Sequence, residues 1–243
     1  MTPVPQSAVP SGLPSLFGTL ALMIVPPLAL GFAAPSAGPC LAIGAASWAV
    51  AVAVKFGLMR LSGVRRRVEA GIAGAAAWGL FSAVDELGLL AAAVLWSGVR
   101  PDASGIVAFG IGASSSEIAF VLASGIAERL RGLDPQVLEA WLAGARLSPW
   151  VRHMLFIERL GATLGHVGSR GLVYLAIAGG PAWAAAPAIA AFALVDGVAI
   201  RGRSRKWNWF DPATARRFYA MTLATGAAEL AAFAALATLV SPA

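Results

Sequence analysis

The sequence predicts an all-α protein, a polytopic bundle of about seven transmembrane helices, and three observations carry that expectation. Of 243 residues, 58% are apolar and only 12% are charged, where a soluble domain carries roughly a quarter charged residues. Apolar stretches close to the ~20 residues that cross ~30 Å of hydrocarbon recur along the chain. Charges and Gly/Pro clusters separate these stretches, and the short alternating segments of a β-barrel do not occur. Helices follow, because a backbone amide left unpaired in lipid is costly and a helix pairs all of its interior ones.

Residues 1–12 contain Pro3, Pro5 and Pro10 without apolar periodicity and read as a flexible lead, with one transmembrane domain over 13–243. The spans fall at 13–33, 39–61, 70–97, 104–127, 151–178, 181–200 and 218–240. Pro26 and Pro27 are expected to kink or break the first, since each removes an amide donor and crowds the preceding turn. No Lys or Arg precedes residue 55, so the positive region of a secretory signal is missing and the first span is expected to be retained.

Positive charge sets the expected orientation, because cytoplasmic loops keep Lys and Arg. Arg60, Arg65, Arg66 and Arg67 follow span two; Arg129, Arg131, Arg146 and Arg152 follow span four; Arg201, Arg203, Arg205, Lys206, Arg216 and Arg217 follow span six. Only Arg100 falls on the other side, so the N-terminus is expected in the cytoplasm of a cell in whose cytoplasmic membrane the chain resides. Trp96 and Trp183 at one face, with Trp150, Trp207 and Trp209 at the other, suit interfacial belts. In the longest loop Asp134 can cap a helix over 134–147 whose apolar face holds Val137, Leu138, Trp141, Leu142 and Ala145. Such a helix is expected to lie along the cytoplasmic interface, as a linker or a substrate platform.

Several function classes drop out. A single cysteine, Cys40, allows neither an internal disulfide nor a Cys/His metal pattern, so no metal and no cofactor is expected. His153 and His166 lie 13 residues apart, about 20 Å of helical rise, too far to share a haem iron. The net charge of +6 does not indicate nucleic acid, because the basic residues gather at span ends. Membrane lipids are the partners this distribution suits.

Against this apolar background, Asp85, Glu86, Glu117, Glu158, Asp196 and Glu229 fall inside spans, together with Arg159, His166 and Arg170. A charge at a helix centre costs at least ~2.5–3.5 kcal/mol on insertion scales, so such residues face the bundle interior, pair, or line a wet cavity. At 100° per residue, Arg159, His166 and Arg170 fall on one stripe of span five, with Glu158 one position round. Gly161, Ala162, Gly165 and Gly168 let another helix approach the adjoining surface. Asp85 and Glu86, being adjacent, point about 100° apart. Ser114 to Ser116 follow Gly112 without the trailing glycine a serine intramembrane protease needs, and Gly110 to Glu117 lacks the ending of a phosphate loop.

Buried carboxylates beside a histidine supply a base for water and a donor for an oxyanion, the parts of a hydrolase. The same groups also compose a structural ion-pair net in a non-catalytic scaffold, or the proton relay of a transporter, although the two halves show no internal repeat.

Four segments, in order, carry a family resemblance: Asp85-Glu86; Gly110 to Glu117; Glu158-Arg159 with His166; and Phe192 to Asp196. Over spans three to six the chain resembles the YhfC-like membrane proteins, a glutamic-type intramembrane protease group related to PrsW and the CAAX prenyl endopeptidases. The resemblance implies that Glu86 activates water with Glu117 nearby, that His166 polarises the scissile carbonyl, and that Asp85, Glu158, Arg159 and Asp196 support the site. It also implies a membrane-protein or peptide substrate. Phe192 stands where the family's final histidine is expected.

Overall fold

The computed structural model describes residues 12–132 and 134–240, so the expected lead lies outside the described residues apart from Gly12. Ten α-helices are described: α1 Leu13–Ala33, α2 Gly38–Arg60, α3 Ser62–Glu69, α4 Ile72–Ser97, α5 Ala103–Arg131, α6 Pro135–Leu147, α7 Pro149–Arg152, α8 Met154–Ile177, α9 Ala185–Ser204 and α10 Pro212–Val240. No strand occurs among the described residues. The protein is an all-α membrane bundle.

Helices α1, α2, α4, α5 and α10, and α9 with the turn before it, are long and apolar enough to cross a membrane. Helix α8 has the length, 24 residues, but carries Glu158, Arg159, His166 and Arg170. It tolerates them because it runs through the middle of the bundle, touching α1, α4, α5, α9 and α10.

Close contacts fix the directions of the helices. A Cβ built on Gly110 of α5 would sit 2.3 Å from Val167 Cα of α8, while Ser114 meets Thr163 and Glu117 meets Arg159 further along. One residue number rises as the other falls, so α5 and α8 are antiparallel. The other face of α8 lies against α10, where a Cβ on Gly168 would come within 2.5 Å of the Glu229 carbonyl carbon. The small residues noted in span five thus serve close helix approach, as small residues do where lipid supplies no hydrophobic drive.

The ends of the elements show where local chemistry overrides apolar pattern. Pro26 and Pro27 do not break α1; keeping helix around them satisfies every other amide in the apolar stretch. The third span begins late, because Ser62–Glu69 forms a separate short helix, α3, before α4 starts at Ile72. Span five is interrupted near His153, which divides α7 from α8. The last span starts earlier than expected, since Asp211 accepts a hydrogen bond from the Thr214 amide (2.8 Å) and launches α10 at Pro212. Arg216 and Arg217 therefore sit on its first turns, both exposed, where long stems let the charged heads reach the interface.

Helix α6 matches the helix expected over 134–147. Asp134 accepts from the Gln136 amide (2.9 Å), as an N-cap carboxylate does. Ala145 is buried in a cluster with Val151, Ala215, Phe218 and Tyr219, while Val137 and Leu138 stay exposed. The helix is pinned by one side and presents apolar residues on another.

Candidate functional site

Lys55, Glu86, Arg170, His166, Glu117 and Arg159 form one connected chain of contacts across α2, α4, α5 and α8. At its centre Arg170, fully buried, donates from Nη2 to Glu86 Oε1 (2.5 Å) and from Nη1 to His166 Nδ1 (2.6 Å). Arginine cannot accept, so Nδ1 is the acceptor and the imidazole proton sits on Nε2. That Nε2–H donates to Glu117 Oε2. The other oxygen of Glu117 accepts from Arg159 Nη1 (2.5 Å), and Arg159 Nη2 reaches Glu158 Oε1 (2.8 Å).

On the far side of Glu86, Lys55 donates to Oε2 (2.9 Å) and to Ser82 Oγ (3.0 Å). Ser82 in turn donates to Asp196 of α9. Glu86 is only 1% exposed, with a cation on each oxygen. Glu117 is bonded on both oxygens too, yet its side chain keeps 22% of its surface open. Alternating signs make the cluster tolerable in lipid, where an unmatched charge would not persist.

A cavity of about 300 Å³ lies beside this chain, with room for several waters at ~30 Å³ each. Lys55, Glu86, Glu117, Glu158, Arg159 and His166 contribute to its wall, and so do Asp196, Thr222 and Glu229. Glu158, 35% exposed in its side chain, marks the end toward the basic loops. Phe192 holds its ring 6.2 Å from the imidazole of His166 and 5.9 Å from Lys55 Nζ. Phe192 is therefore an apolar cover beside His166 and Lys55.

Glu86, Glu117 and His166, three side chains from three helices, do meet at this cavity, and Glu158, Arg159 and Asp196 line it as well. Asp85 differs. It is absent from the cavity wall, and its Oδ2 is buried without a hydrogen-bond partner. Its 100° offset from Glu86 takes it out of the chain of contacts.

Lys55 and Ser82 were not singled out from sequence. A solitary lysine inside an otherwise apolar span was the signal available for the first; a serine in a span carries none. Glu229, noted only as an intramembrane acid, lies on the wall with Oε1 buried and unpartnered. Ser114 and Thr163 share a buried hydrogen bond of 2.6 Å that ties α5 to α8 next to the ion pairs.

Among the described residues no group of His, Cys, Asp and Glu is arranged to hold a metal ion. Lys55 and Arg170 already occupy the two oxygens of Glu86, and Arg159 one of those of Glu117. Comparison with family models, with curated proteins and with solved structures finds no match.

Proposed function

We propose that the protein is a membrane-embedded, peptidase-like hydrolase whose reactive pair is Glu117 and His166. The supporting observation is that Glu117 combines contact with the imidazole and an open side toward a cavity. In this reading a water beside Glu117 attacks the carbonyl carbon of a peptide bond presented from the membrane. Its proton passes to the Glu117 carboxylate and then to the leaving amine, so one water is consumed and the carboxylate is restored. In this reading Arg159 and the Nε2–H of His166, both bonded to Glu117 in the structure, turn to the oxygen on which charge develops. Glu86 acts as a positioning residue, holding Arg170, which sets the tautomer of His166. The accompanying orientation puts the basic end and the N-terminus in the cytoplasm, with the chain in the cytoplasmic membrane.

A second reading is favoured by one observation: Glu86, Glu117 and Glu158 each already meet Arg or Lys. Such a net by itself fixes helix register, and the protein would then be a scaffold or a transporter-type subunit.

Purified protein in lipid, incubated with a library of membrane-spanning peptides and read by mass spectrometry, separates the two. The hydrolase reading expects products from the wild type that disappear in Glu117→Gln while the helices stay folded. Identical product patterns in both proteins would exclude it. No products from either, with a lower melting temperature for Glu117→Gln, is the signature of the scaffold.

A further inference from the structure

A second cavity, about 390 Å³, opens at the basic end of the bundle between α2, α3, α4 and α9. Its rim holds Arg60 at the last residue of α2, Arg65 on α3 and Arg203 near the end of α9. All three are exposed, and none makes an ion pair with another described residue. Glu69 is the one acid on the wall, so three guanidinium groups face a single carboxylate. Below the rim the wall turns apolar, with Val52, Phe56, Met59, Trp78 and Ile200. A fourth cation, Lys55, lies deeper in the groove and is engaged by Glu86.

From this arrangement we infer that the groove binds an anionic phospholipid, its phosphate held by Arg60, Arg65 and Arg203. The guanidiniums stand where α2 and α9 end, the level at which headgroup phosphates lie, and their planar forks match phosphate oxygens. The apolar wall beneath takes the first carbons of an acyl chain, and the half-buried Trp78 gives an amphipathic ring at the boundary. Basic pockets between transmembrane helices recognise lipid head groups by this combination of charge and adjoining apolar surface. A soluble anion would use only the rim, leaving the apolar wall without a role. The inference rests on the groove alone and holds whichever function the inner cavity serves.

The test is binding of phosphatidylglycerol to the purified full-length protein, measured by native mass spectrometry against a phosphatidylcholine background. Arg60→Gln/Arg65→Gln/Arg203→Gln removes the rim; Arg129→Gln/Arg131→Gln/Arg146→Gln removes equal charge from the same end of the bundle. The rim variant is expected to lose affinity by about tenfold or more, with the control losing much less. If the rim variant does not fold, Arg65→Gln alone, on the exposed short helix, still reports, with about threefold loss expected. Equal losses in rim and control variants would mean diffuse surface attraction and overturn the site. Displacement of the lipid by inorganic phosphate or an acidic peptide at comparable affinity would overturn the lipid as occupant.

Discussion

Away from the basic loops, α8 presents Leu172, Val173 and Leu175 to Leu87, Ala184, Ala188 and Phe233; nearer to them the same helix presents Arg159, His166 and Arg170 to Glu117 and Glu86. The apolar half is held by dispersion contacts, which gain little over contacts with lipid tails. The ionic half is held by charges that cannot be separated without leaving one of them in hydrocarbon. One helix thus carries a seal that tolerates change and a network in which each member is needed by its neighbours.

The sharpest way to break this contrast is Arg170→Ala. It strips Glu86 and His166 of a shared donor at a fully buried position and is expected to cost about 3–5 kcal/mol, read by steric-trap or denaturant unfolding in lipid. Arg170→Met combined with Glu86→Gln should recover part of that loss, because one positive and one negative charge leave together and Lys55 keeps Ser82 and the Gln oxygen as acceptors; a double variant worse than the single one would contradict the paired account. Leu172→Ala in the apolar half, also fully buried, is expected to cost about 2 kcal/mol, the low end for core truncations, since separated helices regain contacts with lipid. A loss equal to that of Arg170→Ala would erase the distinction between the halves. The smallest effect belongs to Ser114→Ala, which deletes a single buried hydrogen bond to Thr163 and should lower stability by about 0.6 kcal/mol.

The spans were legible because lipid enforces length and composition, and α6 was legible because Asp134 and Pro135 mark its start. The boundaries at His153 and Asp211 were not: the Asp211 cap overrides the apolar pattern, and at His153 the backbone leaves the helix without a side-chain cap. Within the site, the common face of Arg159, His166 and Arg170 follows from helical geometry alone. Their partners do not, because register between helices depends on contacts such as Gly110 against the Val167 backbone. Lys55 illustrates the limit. Five residues from the end of α2, it reads equally well as a side chain snorkelling to the interface, and only the approach of α2 to α4 turns it onto Glu86.

Groups from separate helices share one lipid-shielded pocket organised around His166. Nitrogen NMR of the His166 imidazole, in ring-labelled protein with His153 replaced, tests it most directly. The expected result is a ring that carries a proton on Nε2 and accepts on Nδ1, with Glu117→Gln shifting the Nε2 resonance and Arg170→Gln shifting Nδ1. A ring whose two nitrogens exchange freely with water, unmoved by either substitution, would contradict it.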